Sequence, residues 1–528
     1  MRLELLGPLL LVGAFTAVAP ARRALRRARE TRGRRTTSAR SAKARGRSGS
    51  LRFGNALLPE SAATSHFLFV GTTGSGKTLL QRLLMKDVLS AIRPGSDRRA
   101  FIFDAKGDTL AFLRKIGVTC PVLSMNPFES RDFAVRWDIA KDVTSPARAL
   151  TLASSLIPRE KGGNNQYFTD SARHVVAALA KSLIRHSPGR WTFSDFIFAT
   201  LSLDRVRGVL DRDEEGRAVL KSFFSEERTG YQVFSTVVSR MSYFEPIAAL
   251  WQRTTRTLSL RDWLSQDSIL LVGSNETVRA ALDAVNEIIF RTLGEEVDAQ
   301  VNSATRRTWF WIDEARLAES LLRSGMVQRI AVKHRSRGAC LVLGFQDVEG
   351  FREAVGPRIA NEIIAQCSNK ALLRMESDES AAWASRVLGQ YETLDAMSSE
   401  GVEILRRSRT ISESRIKRDA VLPSEFYEIP VTSSATGLTG YFVSPYLGAY
   451  RGTVAASEIG PVVPSECEEK AEALVARAES EQWLKAWTMD DERRLLLEIR
   501  RESENAASQE STSGKRLNIK RVGRYLAA

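Results

Sequence analysis

Residues 71–78 read GTTGSGKT and fit the pattern G-x-x-x-x-G-K-[ST] along their whole length. A loop of this kind cradles phosphate. The backbone N–H groups of Gly71, Thr72, Thr73, Gly74, Ser75 and Gly76 can turn toward one anion, and the glycines let the main chain approach it with no Cβ in the way. Lys77 is placed to reach the β- and γ-phosphates of a nucleotide, and Thr78 to set its hydroxyl on Mg²⁺. Far downstream, the apolar run Trp309-Phe310-Trp311-Ile312 ends in Asp313-Glu314. Two acids at the tip of a strand beside a phosphate loop supply the other half of an ATPase site. Asp313 would hold the Mg²⁺ shell, and Glu314 would orient and polarise the attacking water.

Two further groups have chemistry to offer. Gln346 ends the run Cys340-Leu341-Val342-Leu343-Gly344-Phe345; it either reports the γ-phosphate to an exposed segment over 347–357 or is simply a capping glutamine. Before that run, Lys333-His334-Arg335-Ser336-Arg337-Gly338 concentrates positive charge. One of these arginines acts on a neighbouring subunit's γ-phosphate, or the run is a solvated helix end.

These residues need an α/β scaffold. Phe67-Leu68-Phe69-Val70 delivers the chain to the loop, and Leu79-Leu80-Gln81-Arg82-Leu83-Leu84 carries it away in helical spacing, so a helix N-terminus faces the anion. Ala100-Phe101-Ile102-Phe103 reads as a buried strand ending at Asp104, with a second near Val122 and Leu123. From about 143 to 263 strand alternation disappears and helical spacing takes over, which predicts an inserted all-α domain. Strands return at Ile269-Leu270-Leu271-Val272, then a helix over about 277–297, and a strand at Ala371-Leu372-Leu373-Arg374-Met375 with a helix over 379–388. The expected organisation is a membrane anchor over 1–21, a basic disordered linker over 22–50, a motor domain in two parts over 51–142 and 264–456 around the all-α insertion at 143–263, and a charged helical extension over 457–528.

The formal net charge is +15, but residues 21–50 carry 12 Arg or Lys against the single acid Glu30, and Lys515, Arg516, Lys520, Arg521 and Arg524 form a second basic cluster. The body between them is close to neutral, so any nucleic-acid contact it makes needs a local basic surface. Residues 5–21 hold no charge, a run of 17 that reaches roughly 25 Å as a helix and spans a hydrocarbon core only marginally. It reads as a signal peptide, a buried helix or a single membrane anchor; Arg22, Arg23, Arg26, Arg27 and Arg29 behind it favour an anchor with the C-terminal side in the cytoplasm. Cys120, Cys340, Cys367 and Cys467 form no C-x-x-C pair, so neither a zinc site nor a disulfide framework is indicated. Residues 406–418 hold six basic side chains and Glu413 and read as a mobile loop, with DNA as one candidate neighbour. Ser465-x-x-Glu468 is a capping-box signal for a charged helical stretch through Trp487, with a second helix over 490–502; these are solvated helices with a frayed tail, or a docking arm.

With these residues in order, the chain resembles the type IV secretion coupling proteins, the TraD/TrwB-like ATPases of bacterial conjugation. The resemblance runs from about Leu51 to Val454. It is carried by Leu51-Arg52-Phe53-Gly54 with His66, FIFDAKGD at 101–108, Asn126-Pro127-Phe128 with Trp137-Asp138, FWIDEA at 310–315, Arg335 with Gly338, LVLGFQD at 341–347 and Val421-Leu422-Pro423-Ser424-Glu425-Phe426. It implies a RecA-like P-loop motor domain, an inserted all-α domain, ATP and Mg²⁺ as cofactors, and a homohexameric ring at the bacterial inner membrane with its motor in the cytoplasm. It also implies transfer of relaxase-bound single-stranded DNA into a secretion channel. Under the resemblance, Lys77 and Thr78 bind phosphate and metal, Asp313 and Glu314 serve metal and water, Gln346 is the sensor, and Arg335 is the arginine finger. Asp104 matches the aspartate after the second strand, near the catalytic water. One departure stands out: the family usually carries two N-terminal transmembrane helices. Competing readings are an FtsK- or HerA-type DNA translocase, a coupling ATPase that delivers proteins, and a nucleotide-binding membrane recruitment platform with little turnover.

Overall fold

A computed structural model describes residues 29–159, 166–403 and 406–497. The expected anchor over 1–21, the first residues of the linker and the basic tail beyond 497 lie outside the described residues. Among those described, no helix is long and apolar enough to cross a membrane.

A ten-stranded sheet organises the molecule. In spatial order its strands are Thr36–Thr37, Gly448–Val454, Leu438–Ser444, Asn369–Leu372, Phe67–Val70, Ala339–Phe345, Arg307–Ile312, Arg98–Asp104, Ile269–Gly273 and Val122–Ser124. From Asn369–Leu372 to Val122–Ser124 every pairing is parallel, so all these strands end on one side of the sheet. Parallel strands buried on both faces need apolar residues at every position, and the alternation sorts them into two cores. Phe67 and Phe69 pack with Trp309, Trp311, Cys340 and Val342 under the helix Lys77–Leu89. Leu68 and Val70 pack with Phe310, Ile312, Leu341 and Leu343 on the opposite face, against the helix Arg279–Ala299.

The strand carrying the acids, Arg307–Ile312, does not lie directly beside the phosphate-loop strand; Ala339–Phe345 runs between them. The acids reach the loop because the intervening strand has no side chain at Gly344, where a Cβ would collide with the Asp313 carbonyl oxygen and crowd its carboxylate.

Between Val122–Ser124 and Ile269–Gly273 the chain builds a helical unit, entered and left through the paired two-residue strands Arg136–Trp137 and Thr257–Leu258. The 21-residue helix Gln166–His186 is its axis, packed by Pro146–Leu156, Phe193–Thr200, Leu203–Leu210, Glu214–Phe224 and Glu227–Met241. Pro146 sits in the first turn behind the Ser145 cap, and Thr192 with Asp195 forms a full capping box. The chain's exit and return are tied together by the buried Asp142, whose carboxylate accepts hydrogen bonds from Trp137 Nε1 at 2.7 Å and the Leu260 amide at 2.8 Å.

Four expectations are corrected. Residues 29–50 are folded: Arg29–Gly33 pairs with Tyr391 to Leu394, Thr36–Thr37 joins the sheet edge, and the helix Ala39–Arg45, capped by Ser38, buries Ala42. Gly46 and Gly49 then press against the backbone of Leu57 and Leu58, so small residues serve close packing here as well as flexibility. The basic run over 406–418 lies in the strand Arg406–Asp419, which pairs along its length with Gln390–Glu403 in an antiparallel hairpin. Residues 347–357 are largely the helix Val348–Val355, which buries Val348, Phe351, Ala354 and Val355. Among the described residues the C-terminal extension forms only short helical pieces, Ala456–Ile459, Glu466–Ala471 and Met489–Arg494 with 3₁₀ turns at Gly460–Val462 and Glu479–Gln482, in place of the expected longer helices.

Candidate nucleotide-binding site

The phosphate loop is held from both sides by neighbouring strand ends. The Gly71 amide donates to the Phe345 carbonyl at 3.3 Å and the Thr72 amide to the Arg374 carbonyl at 2.9 Å. Gly74 and Gly76 take positive φ values of 78° and 88°, so the turn demands glycine at both. Thr432 closes the outer side, its hydroxyl donating to the Ser75 carbonyl at 2.9 Å. The helix then begins at Lys77, whose side chain is 5% exposed.

Inside this frame the sequence-distant groups meet. Thr78 Oγ1 donates to Asp313 Oδ2 at 2.7 Å. Gln81 Nε2 donates to the other carboxylate oxygen of Asp313, while Gln81 Oε1 accepts from Trp311 Nε1 at 2.9 Å. Burial pushes the Asp313 carboxyl upward, and the Thr78 bond and the Lys77 charge oppose that shift. Lys77 Nζ lies 3.6 Å from Glu314 Oε1, and Lys106 Nζ approaches the same oxygen at 3.4 Å. Glu314 thus sits between two ammonium groups, 12% exposed.

Asp104 shares this cavity with Thr78, Asp313 and Glu314, but its carboxylate is engaged by its own turn, accepting from the Gly107 amide at 2.9 Å and the Thr109 amide at 3.3 Å. Burial, then Asp108, pushes its pKa up to about 6. Its local work is to shape the 104–108 loop that presents Lys106 to Glu314. Asp108 is itself anchored by Arg82 at 2.7 Å.

Gln346 is exposed at the end of Ala339–Phe345, one residue beyond the carbonyl that holds Gly71. Arg335 is not brought to this site. It is exposed in the 3₁₀ turn His334–Arg337 that precedes the same strand, and seven residues of strand, roughly 23 Å, separate that turn from Gln346. Among the described residues its guanidinium has no ion-pair partner. Residues that sequence reasoning passed over are Gln81, Lys106, Gly344, Arg374 and Thr432. Gln81 carries a signal, since it follows Thr78 by three positions and faces the same way on the helix. The others depend on which strands become neighbours.

His66 links the two ends. It sits at φ 55° just before the phosphate-loop strand, fully enclosed, with Nδ1 accepting from the Leu341 amide at 3.1 Å and Nε2 donating to the Ala331 carbonyl at 3.0 Å. Accepting at Nδ1 requires the neutral ring, and burial holds its pKa down to about 4 against the bond to the Ala331 carbonyl. Below the ordinary imidazole range the unfolded chain takes up a proton that the folded chain refuses. Stability is therefore expected to fall by about 3 kcal/mol between roughly pH 6.5 and 4. Urea midpoints across that window, compared with His66→Gln, check it; parallel pH slopes for the two proteins would refute it.

The residues fit a nucleotide with its metal. Ser75 Oγ is buried without a partner inside the cradle, and Thr78 and Asp313 present hard oxygen donors side by side. Among the described residues no group of three or more His, Cys, Asp or Glu could hold a metal, so a cation here would complete its shell with phosphate oxygens and water.

Comparison with known proteins agrees with this geometry. The family described as type IV secretion-system coupling protein DNA-binding domain matches residues 50–445, well over half the chain. A search of curated proteins returned no match. Among solved structures, the bacterial conjugative coupling protein TrwBdeltaN70 in its unbound form superposes with a TM-score of 0.63 at 20% identity, covering 81% of this chain and 94% of its own. The plasmid coupling protein TrwB in complex with ADP and Mg²⁺ gives 0.63 at 20% identity, covering 83% and 96%; in complex with the ATP analogue ADPNP it gives 0.62 at 19%, covering 81% and 94%. At these identities the structures speak for the fold, a large central sheet bearing a nucleotide site together with a helical domain. The family match, joined to that fold and to the paired loop and acids, places this chain in the TraD/TrwB-like family of type IV secretion-system coupling proteins.

Proposed function

We propose that this protein is an ATP-driven motor that moves relaxase-bound single-stranded DNA toward a type IV secretion channel, working as a homohexamer at the bacterial inner membrane with its N-terminal segment as a single anchor. The observation that carries the enzymatic part is the 2.7 Å hydrogen bond from Thr78 to Asp313, which joins the phosphate loop to the acidic strand tip across 235 positions of sequence. It is supported by relatives solved with ADP and Mg²⁺ and with an ATP analogue. Membrane contact and the secretion partners are proposed from family membership.

In this reading the Thr73, Gly74 and Gly76 amides and the Ser75 hydroxyl bind phosphate, the Gly71 and Thr72 amides being spent instead on the Phe345 and Arg374 carbonyls; Lys77 neutralises the β- and γ-phosphates, and Thr78 and Asp313 would hold Mg²⁺, which supplies charge neutralisation when bound. Glu314, freed from Lys77 as that ammonium turns to phosphate, orients a water and takes up its proton, while Lys106 holds the carboxylate in place. Gln346 senses the γ-phosphate, and Arg335 projects from the other end of the sheet toward a neighbouring subunit's nucleotide. DNA contacts belong to a narrow surface of a nearly neutral body, and hydrolysis at one boundary moves the adjoining subunit.

The test is ATP hydrolysis by the intact protein with and without single-stranded DNA, using Lys77→Ala as the background. Wild-type turnover several-fold faster with DNA is the expected outcome. Turnover indifferent to DNA in an assembled sample would sink the pump, and absent turnover would favour a recruitment platform.

A further inference from the structure

The C-terminal extension forms a strap across two units of the fold. It starts at the helix Glu466–Ala471, where Glu468 pairs with Lys115 at 2.9 Å. It then runs beside the 128–131 turn: Ser130 bonds to the Val475 carbonyl through its amide at 3.1 Å and its hydroxyl at 2.7 Å, and the Arg477 amide donates to Phe128 at 3.2 Å. From there it crosses to the helical unit, where Gln252 exchanges two hydrogen bonds with the Lys485 backbone at 3.0 and 3.2 Å.

Its far end is anchored differently. The Trp487 ring meets Phe198 edge-on at 5.1 Å, and its Nε1 donates to Asp195 at 3.1 Å. Thr488 and Asp491 cap the short helix Met489–Arg494, and Arg494 forks onto both oxygens of Asp195 at 2.7 and 3.0 Å. Leu495 is fully buried, and its carbonyl accepts from Ser187 at 2.7 Å and Arg212 at 3.1 Å. Of residues 465–497, Leu495 is the single buried one; Trp483 and Met489 are 78% and 64% exposed. Between its two ends the segment is held chiefly by surface hydrogen bonds, and its far end by the Trp487 contact, the Arg494–Asp195 fork and the Leu495 plug, so local opening hinges on that one cluster. Beside the plug a cavity of about 680 Å³, bounded by Phe198, Arg205, Phe224 and Trp487, stays open under the strap.

We infer that the Asp195–Phe198–Ser187 groove of the helical unit is a peptide-docking site occupied in cis by the chain's own strap, which exchanges with a partner peptide of the same chemistry. That partner presents an aromatic residue, a short capped helix and a terminal Arg-Leu pair in the spacing of Trp487, Arg494 and Leu495. The carboxylate of Asp195 selects the arginine fork, and the pocket beneath Leu495 selects a branched aliphatic side chain. The near end of the strap grips Lys115 at the close of the helix that follows the 104–108 turn, and Glu469 and Glu472 share a cleft with that turn.

The probe is a fluorescent synthetic peptide of residues 484–497, titrated into intact wild type and intact Leu495→Asp, with Arg494→Ala as the milder variant. The expected result is at least tenfold tighter binding to either variant than to wild type, no binding by a peptide carrying Leu495→Asp, and faster tryptic cleavage within 477–494 of both variant chains. Equal binding to wild type and variants, no binding to chains whose strap has become cleavable, or a strap that stays protected in both variants would each overturn the proposal.

Discussion

Replacing Arg335 with alanine is expected to lower ATP turnover of the assembled protein by roughly 10³-fold or more while leaving nucleotide affinity nearly unchanged. The expectation follows from position. The guanidinium stands exposed at the end of the sheet remote from its own phosphate loop, so it can meet developing phosphate charge only on another subunit. A lysine at this place should rescue poorly, because a point charge lacks the planar fork that spans two phosphate oxygens. Mixing sharpens the experiment. Arg335→Ala subunits keep their own loops and Lys77→Ala subunits keep their own fingers, so a mixed assembly regains competent boundaries that neither parent has. Turnover in the mixture above both parents is the expected result; a mixture no better than its parents, or a collapse of nucleotide affinity in Arg335→Ala, would place the residue in a structural or same-subunit role.

The second large effect is expected at Glu314. Glu314→Gln should cut turnover by about 10²- to 10⁴-fold, the range for loss of a positioned base. Binding should behave otherwise. The carboxylate now draws Lys77 at 3.6 Å, and removing its charge releases the lysine for phosphate, so affinity should hold or rise. Single-turnover hydrolysis together with fluorescent-nucleotide titration separates the two. A variant that keeps more than a tenth of wild-type turnover would remove Glu314 from the role of base.

The parts of this site legible in the sequence were those encoded over a few adjacent residues. The phosphate loop needs its glycines, lysine and threonine within eight positions, and the acids announce themselves by ending the run from Trp309 to Ile312. What escaped depends on pairings made far away. The Gln81–Asp313 bond exists because Gly344 lies between two other strands, and nothing local to any of the three residues says so. The hairpin of Gln390–Glu403 with Arg406–Asp419 escaped for another reason. Polar residues predominate along both strands in the sequence, so the period of two that betrays a half-buried strand is absent. The strap was hidden in the same way, since a single buried leucine leaves no amphipathic stripe. In residues 29–50 the charge suggested a solvated linker, whereas the backbone hydrogen bonds and the close approach of Gly46 and Gly49 that order it are invisible to composition.

The strand Ala339–Phe345 carries the turn of Arg335 at its start and Gln346 at its finish, and between them it is buried at every residue and hydrogen-bonded along both sides. Such an element behaves as a push-rod. It cannot bend or stretch appreciably, and His66 pins it at Leu341 to the strand that feeds the phosphate loop. In the proposed assembly, a displacement of a fraction of an ångström at the Arg335 end would therefore emerge at the end that touches the Gly71 amide. Timing between neighbouring sites would then require no travelling loop, only the axial play of seven residues.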